Sequence, residues 1–194
     1  MKQTTTSNLK SVVPPRRKPS FPLLGILCCL ALLNSSTAQS ARQLPRIEGD
    51  SFASHHVVLP DAAASKVAVL IFGFTKASKN PTSAWAEKLQ SDFGSRPGFE
   101  IYQLPVLEEV PRFIRGMVIS GIRKGVPENK RDHFVPILQG EADLKKLVGY
   151  KEPDDAYLVI LDRAGNLVQQ IRGAPNDSNY AQLRSSIESL LNQK

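Results

Sequence analysis

Cysteine is almost missing from this chain. The two it has in 194 residues, Cys28 and Cys29, stand side by side in one apolar run near the N-terminus. Past position 29 the sequence therefore offers no sulfur nucleophile, no thiolate metal ligand and no internal disulfide. Acidic residues are missing from the first 47 positions, and the first is Glu48. Seven of the 25 basic residues fall in that stretch, so the remaining 18 equal the 18 acidic residues, and the formal charge of +7 belongs to the N-terminus. A nucleic-acid surface needs a cationic excess that displaces counterions from phosphates, and the body of the chain has none. No nucleic-acid partner is expected. The most extended apolar stretch, FPLLGILCCLALL at positions 21–33, is 13 residues long. That is short of the ~20 that a membrane span needs.

The opening residues have the three parts of a secretory signal: a basic region ending in RRK, the apolar run, and SSTA ending at Ala38. Cleavage after Ala38 is expected, with residues 1–38 as a signal peptide, 39–54 as a polar linker and 55–194 as one folded domain. The mature chain is then free of cysteine and extracytoplasmic, either periplasmic or secreted. The alternative is an anchor made by uncleaved residues 21–33.

Along the domain, HHVVLP gives a short leading strand, and the unbroken apolar run Val67 to Phe74 predicts a strand covered on both faces. Thr82 or Ser83 is expected to cap a helix with Trp85, Ala86, Leu89 and Phe93 on one face and Gly94 at its end. FEIYQLPV is the next strand. From about Glu108 to Lys124, Val110, Phe113, Ile114, Met117, Val118, Gly121 and Ile122 recur at helical spacing and predict a core-facing stripe. A short strand near HFVPIL and a small helix, EADLKKLV, follow. AYLVILDRAGNLVQQI reads as a hairpin turned by Asp162. The last helix is expected to be capped by Asp177 or Ser178 and to bury Tyr180, Leu183, Ile187, Leu190 and Leu191.

This order of elements, over roughly residues 52–192, resembles the thioredoxin-like superfamily. It implies an α/β three-layer sandwich, a central mixed sheet flanked by helices. IFGFT is similar to the peroxiredoxin and Sco copper-chaperone branch. YQLPVLEEVPRFIRG, LVGY and YLVILDRAGNLVQQIRG are similar to the mitochondrial ATP-synthase assembly factor family. In the peroxiredoxin pattern Thr-x-x-Cys falls on Thr75, Lys76, Ala77 and Ser78, and in the Sco pattern the two cysteines fall near Ala77 and Pro81. The proline that the redox relatives place before the first hairpin strand is expected near Ala156, and Pro153 stands too early. A serine hydroxyl stays protonated at pH values where a thiol ionises, so Ser78 does not replace the missing cysteine. The resemblance thus implies a degenerate redox loop.

Other chemistry is thinly supplied. Ser78 has no nucleophile-elbow context, so a loop or capping role is expected for it. His55 and His56 are adjacent and point to opposite faces of a strand, and Met117 belongs to the helical stripe; no metal site or cofactor is expected. Glu108 and Glu109 suit the first turn of a helix, and Trp85 suits the packing under the sheet. On the long helix Ile119 points away from the stripe with Arg112, Arg115 and Arg123 around it, an arrangement suited to a partner surface or to anionic lipid headgroups. The expected function is that of an exported, redox-inactive protein that binds a protein partner, in the assembly or maintenance of a membrane complex. The alternatives are a thiol-dependent oxidoreductase or peroxidase, and a small-ligand or metal carrier.

Overall fold

The computed structural model describes residues 42–193. The elements are β1 (Arg42–Gln43), β2 (Ile47–Asp50), β3 (His56–Leu59), β4 (Val67–Gly73), α1 (Lys79–Phe93), β5 (Phe99–Pro105), α2 (Arg112–Lys124), α3 (Glu141–Val148), β6 (Ala156–Leu161), β7 (Asn166–Arg172) and α4 (Asp177–Asn192). The expected signal peptide, with Cys28, Cys29 and the cleavage point, lies outside the described residues. Among the described residues no helix is long and apolar enough to cross a membrane.

The five-stranded sheet has the order β1-β7-β6-β4-β5, with β4 parallel to β5 and every other pair antiparallel. β4 is an interior strand, flanked by β6 and β5, and fully buried up to Phe72, which is why it lacks polar alternation. Val67, Val69 and Ile71 meet Trp85, Leu89 and Phe93 of α1 and Leu183 and Ile187 of α4 on one side. Ala68, Leu70 and Phe72 face a second apolar layer with Leu144 and Leu147 of α3, Leu59 of β3 and Ile137. Two half-cores on one sheet give the three layers that the sequence predicts.

Several boundaries differ from expectation. Residues 42–50 are not a linker: β1 pairs with β7, β2 pairs with β3, and Leu44, Ile47 and Phe52 are buried. In sequence the stretch carries only two apolar side chains that become buried, Leu44 and Ile47, three positions apart, which is no strand period. α1 starts at Lys79 rather than near Thr82, with Pro81 in the first turn, where a missing N–H costs little. Asn176, not Asp177 or Ser178, caps α4; it forms a capping box with Asn179, whose N–H donates to Asn176 Oδ1 at 3.0 Å. HFVPIL makes only two isolated parallel bridges, Gln103 to Phe134 and Val106 to Ile137, along the edge of β5.

The largest departure is α2. It buries no residue at all, although its sequence is the most strongly amphipathic of the four described helices. Phe113 is 88% and Met117 76% exposed, whereas Ile114, Val118, Ile119 and Ile122 are half-buried. At ~100° per residue the sector turned to the protein is centred near Val118 and Ile122, roughly 90° from the middle of the apolar stripe. Half of the stripe packs and half faces out.

Candidate functional site: the closed loop after β4

The Thr75 to Ser78 loop joins the end of β4 to the start of α1, at the end of the sheet where β5 also finishes, since Val106 N–H donates to Gly73 O at 2.8 Å. Carboxyl ends of parallel strands are where open α/β sheets expose loops able to bind. Thr75, Lys76 and Ala77 are exposed there and Pro81 is half-buried. Ser78 is 1% exposed. Its Oγ donates to Thr75 O at 2.8 Å and accepts from Thr75 N–H at 3.3 Å, while Ser78 N–H donates to Thr75 Oγ1 at 3.3 Å. The hydroxyl is thus consumed in a ring of short-range bonds. It caps the turn, as expected of a loop serine, but by reaching back to Thr75 rather than forward into α1. Among the described residues the hydroxyl hydrogen-bonds only to Thr75, and it is closed to solvent.

Across the sheet end lies the segment that precedes β6. Thr75 Oγ1 donates to Pro153 O at 3.0 Å and to Asp154 Oδ1 at 3.3 Å. The Thr75 to Ser78 loop and the Pro153 turn therefore meet directly, so Pro153 lies opposite the loop even though Asp154 and Asp155 intervene before β6. Beneath them Phe74, Tyr150 and Tyr157 form an edge-to-face cluster, with Phe74 5.0 Å from Tyr150 and 5.6 Å from Tyr157, and Lys145 Nζ sits 4.8 Å over the Tyr150 ring.

Glu108 and Glu109 precede α2 rather than opening it, and both turn to α3. Glu108 Oε2 accepts from Glu141 N–H at 2.6 Å, so it supplies the cap that Gly140 lacks. Lys145 Nζ lies 2.7 Å from the buried Glu141 and 2.9 Å from Glu109. Hydrogen bonds to Glu141 and then Glu109 push the Lys145 ammonium pKa up, and the bond from Lys145 pulls the Glu109 carboxyl down. These carboxylates are structural ties between two segments.

The partner surface read around Ile119 does not assemble as one exposed patch. Arg112 and Arg123 are exposed, but Ile119 is half-buried. Arg115 is spent on the main chain, donating from Nε to Val110 O at 3.1 Å and from Nη2 to Glu108 O at 2.6 Å. His55 and His56 part as expected, one bonded to Asp132 at 2.6 Å and the other to Asp50 at 3.0 Å. Among the described residues no three His, Cys, Asp or Glu side chains converge as metal ligands do.

A polar cluster that the sequence does not announce lies at the edge of β5. Glu100 there takes a hydrogen bond from Tyr102 Oη at 2.9 Å, pairs with Lys66, and lies 3.4 Å from His133 Nε2. Burial alone would raise its carboxyl, yet the bonds from His133, Lys66 and Tyr102 outweigh this and hold it down at about 2. Burial, with Glu100 beside it, pushes the Tyr102 phenol up. The cluster borders a groove of about 260 Å³ lined also by Phe99, Ile101, Asn129 and Lys130. No local spacing marks these residues, because Lys66, Glu100 and His133 are more than 30 positions apart in sequence and meet only when β5 is in place.

No protein-family model matches the chain, and no curated protein matches it in sequence. Solved structures do match. A candidate thiol:disulfide interchange protein DsbE from Chlorobium tepidum superposes with a TM-score of 0.57 at 18% identity, over 78% of this chain and 97% of its own. BsSco, of the Sco family of cytochrome c oxidase assembly proteins, gives 0.56 at 13% identity, over 80% and 96%. An exposed lipoprotein thioredoxin from Streptococcus pneumoniae strain TIGR4 gives 0.52 at 12%, over 73% and 99%. Identities this low speak to fold and not to activity. The mixed sheet, the flanking helices and these likenesses together establish that the chain has a thioredoxin-like α/β fold.

Proposed function

We propose that this protein uses the thioredoxin-like fold as a binding scaffold, without thiol chemistry, and that it engages a protein partner in the assembly or maintenance of a membrane complex. The observation that carries the reading is Ser78. At the loop position where the sequence resemblance places the reactive cysteine stands a buried hydroxyl whose donor and acceptor are both used by Thr75. Such a group neither ionises near neutral pH nor reaches a substrate. The assembly role is supported by the motifs shared with an assembly-factor family, and a structural neighbour of this fold belongs to a family of oxidase assembly proteins. Export is supported by the signal-like leader and by the exposed lipoprotein among the neighbours. The contact surface proposed for the partner is the sheet end formed by Thr75, Lys76, Ala77 and the Pro153 to Asp154 turn.

Two experiments on the full chain test this, the first with purified protein. Insulin-disulfide reduction and peroxide consumption are expected to equal those of a Cys28→Ser/Cys29→Ser/Ser78→Ala variant; turnover above that level overturns the noncatalytic reading in favour of a thiol-dependent enzyme. Crosslinking in the native envelope is expected to capture one membrane complex with the wild type and not with Lys76→Glu/Ala77→Glu. Equal capture by both, or none by either, removes the partner surface.

A further inference from the structure

From the outward half of α2 we infer a peripheral docking element for an anionic lipid bilayer. The helix is 13 residues, about 20 Å, long. Its solvent-facing sector presents Phe113 and Met117, one turn apart and 88% and 76% exposed, with Ser120 beside them. Gly116 and Gly121 lie on the same outward half, and added β-carbons there would meet nothing within 4 Å. The side is therefore open along its whole length. Charge selects the occupant. Arg112, Arg123 and Lys124 are exposed around the two apolar side chains, and the helix contains no Asp or Glu. The neighbouring acids are occupied elsewhere: Glu108 and Glu109 bind α3, and Glu128 pairs with Arg131 at 3.3 Å.

A helix that lies flat with apolar side chains between cations is the arrangement by which monotopic segments sit at the headgroup boundary, the cations on anionic headgroups and the apolar groups just beneath. A protein partner is the poorer fit. Two large side chains on one short helix fall far short of the ~800 Å² per side that a stable protein interface buries, whereas shallow insertion asks for no more than this. The inference stands apart from the partner surface, which lies at the Thr75 to Ala77 loop.

The test places a fluorophore on this face of the full chain with Phe113→Trp and mixes it with vesicles whose acyl chains carry bromine, a contact quencher. Trp85, 0% exposed, serves as the unquenched internal control. The cations before the apolar run at positions 21–33 also favour anionic headgroups, so the Arg112→Glu/Arg123→Glu comparison is what reads α2, and an unchanged lipid requirement in that variant overturns the proposal. Phosphatidylglycerol vesicles are expected to quench and blue-shift the added emission. The lipid concentration needed is expected to rise at least about tenfold with phosphatidylcholine, and likewise with Arg112→Glu/Arg123→Glu on the anionic vesicles. Absence of quenching with phosphatidylglycerol, or equal quenching with both lipids, overturns the proposal. Crosslinking of this face to a protein without lipid quenching does so too, and assigns the face to that protein. Capture through the Lys76 surface is unaffected in every case, which separates a failure here from a failure of the partner reading.

Discussion

Gly73 and Ser78 stand so close that a β-carbon on Gly73 would lie 2.7 Å from Ser78 Oγ and 3.2 Å from Thr82 Cγ2. The last residue of β4 and the start of α1 are thus fitted to each other through the serine. Gly73→Ala is expected to destabilise the fold by about 1–3 kcal/mol through overpacking. Removing the obstructing oxygen with Ser78→Ala in the same chain is expected to recover part of that loss, so a denaturant-based double-mutant cycle should return a non-zero coupling. Additive losses would mean that the two residues do not touch.

Placing sulfur at position 78 should not confer redox chemistry. In Ser78→Cys the thiol occupies a closed site against the Thr75 carbonyl, where burial keeps it protonated. Ellman's reagent should find this group inert in the native protein and reactive in guanidinium, with Cys28 and Cys29 replaced by serine to clear the background. Rapid native reaction would show that the loop opens. Ser78→Ala alone should cost about 1–2 kcal/mol from the lost hydroxyl bonds.

Glu100 sets an acid limb of stability. Its carboxyl is held at about 2 in the fold against an ordinary value of 4.5. A depressed folded-state pKa contributes stability that is complete above about 4.5 and lost as the pH falls towards about 2. The side chain is 15% exposed, which limits solvent screening, and the contribution is at most about 3 kcal/mol. Glu100→Gln should flatten the dependence of the unfolding midpoint on pH within that window. An unchanged acid limb would place its origin in other carboxylates.

The rotation of α2 predicts an inversion of the usual rule that large apolar residues hold a fold together. Phe113→Ser and Met117→Ser should each change stability by no more than about 0.5 kcal/mol, because both side chains are solvated in the free protein. Leu89→Ala, at a position 0% exposed, should cost about 2–5 kcal/mol. Thermal melts of the three variants compare them directly. A large loss at Phe113 would mean that α2 is packed by another part of the chain.

Much of the fold was legible in sequence because local patterns carry it. The polarity-free run of β4 required cover on both faces. Trp85, Leu89 and Phe93 of α1 shared one helical face, and Asp162 closes its turn as its type suggests, accepting from Ala164 N–H at 2.9 Å and Asn166 N–H at 2.8 Å. The lack of cysteine after position 29 needed no structure at all. What the sequence could not supply was direction and long-range meeting. The spacing in α2 defines an apolar stripe but not which part of it the rest of the molecule will meet, and tertiary packing turned Phe113 and Met117 outward and Ile119 partly inward. Glu108 and Glu109 satisfied a local rule for helix starts, yet they serve α3, more than 30 residues away. Lys66, Glu100, Tyr102 and His133 carry no common motif, since a charge cluster of this kind exists only when separate segments are brought to one sheet edge. Even Ser78, the residue on which the noncatalytic reading rests, shows in sequence only that sulfur is missing. That its hydroxyl is closed off by Thr75 follows from the path of the backbone, because a hydrogen-bonded ring is fixed by geometry that residue order alone does not contain.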